Sequence, residues 1–190
     1  MQNLRVVTMN IIVAITGASG AIYARECLEL LLANSSVERI ALICSSNAEG
    51  VIAHEGVTLP EHERVERYSN DDMWSSVASG SARWDAMIVV PASMGSVGRI
   101  ASGVSQSLIE RAADVMLKER RRLVLVVREA PYSLIHLRNM TTITEAGGII
   151  IPASPSFYFN PKDIESLTLT VSTRAVELLG LEVTHQHWGE

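Results

Sequence analysis

The stretch RAADVMLKERRRLVLVVREAP, residues 111–131, shows in a few residues how this chain folds. Residues 111–122 have the composition of a helix with a strongly charged end, and residues 123–127 (LVLVV) are a short apolar run typical of a strand buried on both faces. Arg128 and Glu129 follow directly, with Pro131 behind them. Because ligands of open α/β sheets bind outside the carboxyl ends of the strands, this pair is well placed for anion binding and proton transfer.

The same alternation of strand and helix patterns extends in both directions. It predicts parallel strands joined by right-handed crossovers, that is, an α/β doubly wound (Rossmann- or flavodoxin-like), mostly parallel sheet in a three-layer αβα arrangement. Pro91 is expected to end the third strand, and residues 56–83 are expected to form a long, irregular excursion with room only for short pieces of strand or helix. The predicted strands are 9–16, 37–44, 85–90, 123–127 and 149–151, and the main predicted helices are 21–33, 46–55, 108–119, 133–146 and 162–179.

Composition limits the class of protein. With 190 residues, we expect one domain over 1–190, with a tail at about 181–190 that is frayed or used in oligomer contacts. Apolar residues make up 47% and aromatics only 5%, which predicts an aliphatic core with some apolar surface buried between subunits. A net charge of −5 argues against nucleic-acid binding, and no apolar run reaches the roughly 18 residues of a membrane span.

The two cysteines and the amino terminus point to the cytoplasm. Cys27 and Cys44 both fall in apolar patterns, so we expect buried free thiols, which suit a reducing compartment. The first thirteen residues run into strand-like and Gly-rich sequence without a cleavage site, so they do not resemble a signal peptide. We therefore expect a cytoplasmic protein.

The Gly-rich turn of residues 16–20 (TGASG) lies between the first strand and the first helix. Gly17 permits close backbone approach, Ser19 can donate a hydrogen bond, and the helix N-terminus is expected to present free N–H groups to an anion. The alternative is an ordinary βα turn. The setting favours a phosphate or nucleotide site without saying which nucleotide.

A dinucleotide site and a metal site are both disfavoured. The second strand ends in Cys44, Ser45 and Ser46, without the carboxylate that an NAD ribose requires. Tyr158 and Lys162 have a Tyr-x-x-x-Lys spacing, but a proline lies between them, which makes one continuous helix across the pair improbable. The motif at residues 185–187 (HQH) lacks a third ligand nearby, so we expect no metal.

Three hydroxyl- and Gly-rich turns should meet at one edge of the sheet. Ser45 closes the second strand and residues 91–96 (PASMGS) close the third, next to the Gly-rich turn of the first. Helix capping explains each serine taken singly. Their convergence favours a flat polar cofactor with a phosphate tail, such as the mononucleotide FMN.

The chain resembles the UbiX-type flavin prenyltransferases along residues 10–182. The motifs that carry the resemblance are ITGASG (15–20), PASMGS (91–96), ERAADVMLKERR (110–121), LVLVVREAP (123–131), IHLRNM (135–140) and SPSFYFNP (154–161). The resemblance implies a metal-independent enzyme that joins a dimethylallyl group from dimethylallyl phosphate or diphosphate to N5 and C6 of reduced FMN. The product, prenylated FMN, would serve a UbiD-type decarboxylase of ubiquinone or aromatic acid metabolism, and the older label for such proteins is decarboxylase.

The resemblance also implies roles for individual residues. Glu129 would be the acid/base residue near the departing phosphate, with Glu55 a second polar partner in the site. Tyr158 and Arg174 would hold the prenyl phosphate together with Lys118, although solvated positions would also explain Glu55, Lys118 and Arg174. Family members form large homo-oligomers, typically dodecamers, with sites at subunit contacts. The residues implied to contact FMN are Gly17, Ala18, Ser19, Ser45, Ser93, Met94, Gly95, Ser96 and Arg128.

Elementary chemistry agrees with these roles. Breaking an allylic C–O bond leaves an allylic cation and a phosphate, and Lys118, Arg128 and Arg174 could stabilise the phosphate. The cation needs a dry, electron-rich pocket, to which Trp84 is expected to contribute. Two alternatives are an FMN-dependent decarboxylase of cysteine type and a non-catalytic flavin-binding protein. The first usually has a His near the first helix and a Pro-x-Met-Asn segment, which this chain lacks, and the second would be expected to have lost Glu129, Lys118 or Arg174.

Overall fold

A computed structural model describes residues 8–184. Its six strands form one all-parallel sheet, in the order β3-β2-β1-β4-β5-β6. The predicted doubly wound α/β class is confirmed. The strands are β1 (Met9–Ile15), β2 (Val37–Cys44), β3 (Val65–Tyr68), β4 (Ala86–Ala92), β5 (Arg122–Val127) and β6 (Ile149–Pro152).

Helices cover both faces of the sheet. Their bounds are α1 (Ala21–Ala33), α2 (Ser46–His54), α3 (Met94–Ala101), α4 (Leu108–Lys118), α5 (Leu134–Glu145) and α6 (Ile164–Leu178). Because side chains alternate along a strand, Ile11 and Val13 pack with α1 and α6, whereas Ile12 and Ala14 pack with α3 and α4. Both cores are built mainly of aliphatic side chains, and the three-layer αβα arrangement is confirmed.

The prediction left the position of one short strand open and placed one strand end wrongly. Strand β3 (VERY) lies inside the excursion of residues 56–83 at the edge of the sheet, where its half-exposed polar side chains give no apolar run to detect. The predicted stop at Pro91 is wrong, because β4 continues through it to Ala92. The register between β4 and β5 shifts between Val89 and Ala92, which accommodates a residue that has no N–H to donate.

A buried carboxylate fixes how α6 packs on α1. Glu26 of α1 accepts hydrogen bonds from the hydroxyls of Thr168 and Ser172 of α6, each at 2.6 Å. Burial raises the pKa of Glu26, and the two hydroxyls lower it in part. Helix α6, which carries Arg174, is therefore held by polar contacts as well as by apolar packing.

The order of the strands defines where a ligand can bind. The chain leaves β1 toward β2 and β3, and it leaves β4 toward β5 and β6, so the direction of winding changes between β1 and β4. A crevice outside the carboxyl ends of the strands forms at such a switch point. Among residues 8–184, no helix is long and apolar enough to cross a lipid bilayer.

Candidate active site at the carboxyl edge of the sheet

Hydrogen bonds tie the carboxyl ends of four strands together. Ser45 N–H donates to the carbonyl of Ile15 at 2.9 Å, which joins β2 to β1. Thr16 Oγ1 donates to the carbonyl of Pro91 at 2.7 Å and accepts from the N–H of Ser93 at 2.8 Å, which joins β1 to β4. Further along, Arg128 N–H donates to the carbonyl of Ala92 at 3.2 Å. The three predicted turns and Arg128 do meet at one edge.

The Gly-rich turn is shaped by close contact with α2. A Cβ added to Gly17 would lie 2.6 Å from Cβ of Asn47, so no larger residue fits at position 17 without displacing α2. Gly20 is the N-cap of α1 and has a φ of 109°, a conformation that other residues rarely adopt. Sequence alone identified the turn but not its partner Asn47.

The N-terminus of α1 is occupied by a carboxylate of the chain itself. Glu55, just beyond the end of α2, accepts from Gly20 N–H at 2.9 Å and from Ala21 N–H at 2.7 Å. The prediction that this helix end offers free N–H groups to a phosphate is therefore wrong for these two residues. Glu55 is half-buried against the Gly-rich turn, so the reading of a merely solvated helix end is also wrong.

The environment of Glu55 keeps it ionised. Desolvation by burial is the largest single influence and raises its pKa. Hydrogen bonds from the Ser19 hydroxyl and from the N–H groups of Gly20 and Ala21, with the nearby charge of Arg128, outweigh it and lower the pKa below the ordinary value. Ser19, Glu55 and Arg128, predicted separately, thus form one cluster.

The serines that close β2 and β4 are helix caps. Ser45 Oγ accepts from Ala48 N–H at 3.3 Å, and Ser93 Oγ accepts from Ser96 N–H at 3.4 Å. Ser93 Oγ also donates to Ser96 Oγ at 3.2 Å. Capping is therefore part of their role, and both caps lie at the same edge as Glu55. Of the other residues implied to contact FMN, Ala18, Met94 and Ser96 are buried, whereas Gly95 is exposed.

Arg128 and Glu129 extend from the end of β5 as predicted. Arg128 is exposed, and its charge acts on Glu55. Glu129 is half-buried, and its carboxylate accepts from the N–H of Ala130 at 3.0 Å. A cis peptide bond between Ala130 and Pro131 follows. The segment therefore presents a guanidinium and a carboxylate side by side at the rim of the crevice.

Lys118 and Arg174, two of the residues expected to hold the prenyl phosphate, lie on helices that pack on opposite faces of the sheet. Lys118 ends α4 at the amino end of β5 and pairs with Glu119, whereas Arg128 follows the carboxyl end of that strand, which spans about 17 Å. Arg174 lies ten residues along α6, about 15 Å from the start of that helix, and pairs with Glu177 at 3.1 Å. Tyr158 is 69% exposed in the loop before α6.

Trp84 and the cysteines have structural surroundings. Trp84 is 1% exposed, just before the amino end of β4, with the Arg39 guanidinium 4.3 Å from its ring centroid. The expectation that it lines the reaction pocket is wrong. Cys27 is buried as expected, and Cys44 is only half-buried; burial raises the pKa of both thiols. Within residues 8–184 no cluster of metal-ligating side chains is found, and the motif at 185–187 lies outside the described residues.

Comparison with known proteins identifies the family. The sequence pattern of the family described as Flavoprotein matches residues 3–173. The flavin prenyltransferase UbiX of Methanocaldococcus jannaschii is 41% identical over 95% of this chain and 99% of its own length. This chain belongs to the UbiX flavin prenyltransferases. It is therefore a flavoprotein and a transferase, and the older decarboxylase label of the family is a naming alternative.

Solved structures of UbiX proteins superpose closely. AnUbiX (PadA1), solved in complex with FMN and dimethylallyl pyrophosphate, has a TM-score of 0.86 and 41% identity, covering 96% of this chain and 100% of that one. A dodecameric FMN-dependent UbiX-like decarboxylase from Escherichia coli O157:H7 has a TM-score of 0.86 and 36% identity, covering 94% and 99%. The resemblance stated from the motifs is confirmed at the level of both sequence and fold.

Proposed function

We propose that this UbiX-family protein transfers a dimethylallyl group from dimethylallyl phosphate or diphosphate to N5 and C6 of reduced FMN, forming prenylated FMN. The observation that carries the proposal is the cluster of Ser19, Glu55 and Arg128 at the switch point of the sheet. A proton-accepting carboxylate, a hydroxyl and a cation there are the groups that such a transfer requires.

The residues at the carboxyl edge fit a flavin mononucleotide. The crevice combines hydroxyls at Ser19, Ser45 and Ser93 with the guanidinium of Arg128, and Gly17 lies in the turn that carries Ser19. This donor set suits a flat ring with polar edges and a phosphate tail. Reduced FMN supplies the nucleophilic nitrogen and carbon that the allylic group joins. We propose further contacts to FMN from Ala18, Met94, Gly95 and Ser96.

Glu55 and Ser19 are placed to receive a proton. Glu55 is ionised, and the Ser19 hydroxyl donates to its carboxylate. The lone pairs of Ser19 Oγ then remain to accept from an N–H group, with the carboxylate behind as the base. The pair can thus remove the proton that is released when a bond forms at a flavin nitrogen.

The phosphate of the prenyl donor is held across a subunit contact in this proposal. Lys118 is separated from Arg128 by the length of β5, and the helices that carry Lys118 and Arg174 pack on opposite faces of the sheet, so one protomer cannot bring the three cations to one phosphate. A neighbouring copy can supply them, with Tyr158 contributing from its exposed loop. Glu129 is then the acid/base residue for the departing phosphate.

Exposed apolar side chains support an assembly, which we propose to be a homododecamer. They lie on α5, on the loop before α6 and on α6 itself, where a solvated surface would be polar. The E. coli relative is described as dodecameric. The side chains concerned are Leu134, Ile135, Leu137, Phe157, Phe159, Ile164 and Leu169. We further propose a cytoplasmic location and a UbiD-type decarboxylase as recipient of the product.

The test of the activity is anaerobic incubation with FMN, dithionite and dimethylallyl phosphate, followed by mass spectrometry of the extracted flavin. We expect a gain of one C5H8 unit. Unchanged flavin from protein with confirmed FMN binding would refute the proposed transfer, and oxidation of a thiol substrate by bound FMN would then be assayed.

The test of the shared site is a mixed oligomer. Glu129→Gln and Lys118→Ala subunits, each expected to transfer far more slowly than the wild type when alone, are unfolded together and refolded as a mixture. If the two residues serve a site from different subunits, about a quarter of the sites are intact and activity returns to that level. A mixture of Glu129→Gln with Arg128→Ala, both on the same rim of one subunit, is the control and stays inactive. Equal inactivity of both mixtures would contradict the shared site.

A further inference from the structure

Arg99 bends back toward the beginning of its own helix. It is the sixth residue of α3, yet one of its guanidinium nitrogens lies 3.3 Å from Ser96 Oγ, and a Cβ added to Gly95 would lie 3.4 Å from another. The cation therefore lies beside the first turn of α3. A positive charge there is unfavourable with respect to the helix dipole, so something must hold it.

Glu110 holds Arg99 in this position. The Glu110 side chain is 4% exposed and accepts from the N–H groups of Gln106 at 2.9 Å and Ser107 at 3.1 Å, and also from Nε of Arg99. A carboxylate buried to this extent is stable only with such partners, so its position is fixed by α4. Glu110 therefore holds the Arg99 guanidinium through Nε, while the two terminal nitrogens lie beside the first turn of α3.

The consequence is a defined direction for the Ser96 hydroxyl. Ser96 is 4% exposed, and its Oγ accepts from Arg99 and from Ser93 Oγ. A hydroxyl oxygen has two lone pairs and one hydrogen. With both lone pairs engaged, the Ser96 O–H is left as a donor at the edge of the sheet that closes the flavin crevice.

We infer that Arg99, held by Glu110, is a positioning residue that fixes the Ser96 hydroxyl as a hydrogen-bond donor to an oxygen of FMN. The inference rests on the proposed binding of FMN at this edge. The acceptor is either a phosphate oxygen or a ring carbonyl oxygen, since both accept a hydroxyl hydrogen and both belong to the same ligand. Arg99 itself acts through Ser96.

The test is a double-mutant cycle on FMN affinity, measured by quenching of flavin fluorescence. We expect Arg99→Met and Ser96→Ala each to weaken binding roughly tenfold, which is the size of one hydrogen bond to a charged or polar acceptor. The double variant should bind FMN about as strongly as either single variant, because the two substitutions remove the same interaction. Arg83→Met, which removes an exposed arginine far from the crevice, is the control and should bind as the wild type.

Two further measurements separate positioning from general structural support. Arg99→Lys can donate to Glu110 or to Ser96 but cannot bridge them as a guanidinium does, so we expect partial recovery relative to Arg99→Met. Riboflavin binding distinguishes the acceptors: it is unchanged in Arg99→Met if the acceptor is the phosphate and weakened like FMN binding if it is the ring.

Independent effects of Arg99→Met and Ser96→Ala, multiplying to roughly a hundredfold in the double variant, would overturn the inference, as would wild-type affinity in Arg99→Met. Because the cycle measures binding alone, its result does not depend on prenyl transfer. Failure of the wild-type mass-spectrometric assay would instead refute the proposed function.

Discussion

The two helices that begin on either side of the switch point, α1 and α3, satisfy their N-termini with opposite chemistry. Helix α1 starts at Gly20, which has no side chain to cap it, and the carboxylate of Glu55 accepts the free N–H groups. Helix α3 starts at Ser93, whose hydroxyl caps it, and the guanidinium of Arg99 lies beside its first turn. The N-terminus of α1 is thus neutralised by a negative charge, whereas the N-terminus of α3 has a further positive charge beside it.

The difference shows that a Gly-rich turn before a helix is not by itself a phosphate site. The partial positive charge at a helix N-terminus attracts whichever anion lies nearest, and at α1 that anion is part of the chain. The turn therefore places the carboxylate of Glu55, the base of the proposed transfer, beside Ser19. The remaining positive potential at this edge comes from α3, Arg99 and Arg128.

The largest expected effect is on the rate of prenyl transfer when the charge of Glu55, at the N-terminus of α1, is removed. Glu55→Gln keeps the shape and an acceptor for the helix N–H groups but removes the base, so we expect prenyl transfer to slow about a hundredfold. FMN affinity should change by no more than a few-fold. Time-resolved mass spectrometry of the flavin measures the rate. Glu49→Gln, an exposed carboxylate on α2, is the matched control, and equal rates in the two variants would remove Glu55 from the chemistry.

Glu129→Gln is expected to slow transfer by a similar or somewhat smaller factor, because it removes the carboxyl group that we propose as acid/base for the departing phosphate. FMN should still bind, since no contact that shapes the crevice is lost. The assay is the same time course, with Glu145→Gln at the exposed end of α5 as control. Wild-type turnover of Glu129→Gln would refute its role.

The glycines of the two turns should respond differently to alanine. Gly17→Ala places a Cβ 2.6 Å from Cβ of Asn47 and should lower the free energy of unfolding by about 2 kcal/mol. Gly95→Ala meets only the flexible end of Arg99 at 3.4 Å, so it should be neutral or stabilising by up to about 1 kcal/mol. Urea unfolding of the two variants measures both. An equal change in the free energy of unfolding of the two variants would mean that the turn at Gly17 can shift to accommodate a Cβ.

Ser93→Asp would reproduce at α3 the arrangement seen at α1. A carboxylate is a good N-cap and suits the helix dipole, so the free energy of unfolding should remain within about 1 kcal/mol of the wild type. FMN binding should weaken by roughly tenfold or more if the nucleotide phosphate lies at this edge, because a negative charge would then stand beside it. Ser93→Ala, which loses the cap without adding charge, separates the two contributions. Undiminished FMN affinity in Ser93→Asp would place the phosphate elsewhere.

The smallest expected effect is the pH dependence of stability at α1. The pKa of Glu55 is lower in the folded protein than its ordinary value of 4.5, so the ionised form stabilises the fold. That contribution is fully present above about pH 5.5 and is lost as pH falls through the folded pKa. The difference in unfolding free energy between wild type and Glu55→Gln should therefore be constant near neutrality and shrink below pH 4.5, as the Glu55 carboxylate takes up a proton. A difference that grew on acidification would reverse the assigned sign.

Much of the fold could be predicted from the sequence, because strands buried on both faces produce apolar runs such as LVLVV. Strand β3 could not, since an edge strand is half solvated, and the continuation of β4 through Pro91 depends on a register shift that no local pattern reveals. Trp84 shows the same limit, because its type fits a reaction pocket while its position at the amino end of β4 places it in the core.

The candidate site divides in the same way. Ser45, Ser93 and Arg128 directly follow strands, and Ser19 lies in the turn after β1. These positions were predictable because parallel strands bring their carboxyl ends together. The hydrogen bonds from the start of α1 to Glu55 join different elements, and so does the contact of Arg99 with Glu110. Only the three-dimensional arrangement reveals them. Nothing in the sequence indicates whether Lys118 and Arg174 would act at the site of their own subunit or at that of a neighbouring copy.

The position of Lys118, a strand length away from Arg128, has a genetic consequence. In the proposed shared site, a subunit that lacks Lys118 retains its own flavin crevice but disables that of its neighbour. In a cell that makes both forms, a healthy neighbour can complete the crevice of a damaged subunit, so the share of working sites equals the share of subunits that carry Lys118, and the defect would follow gene dosage rather than be dominant.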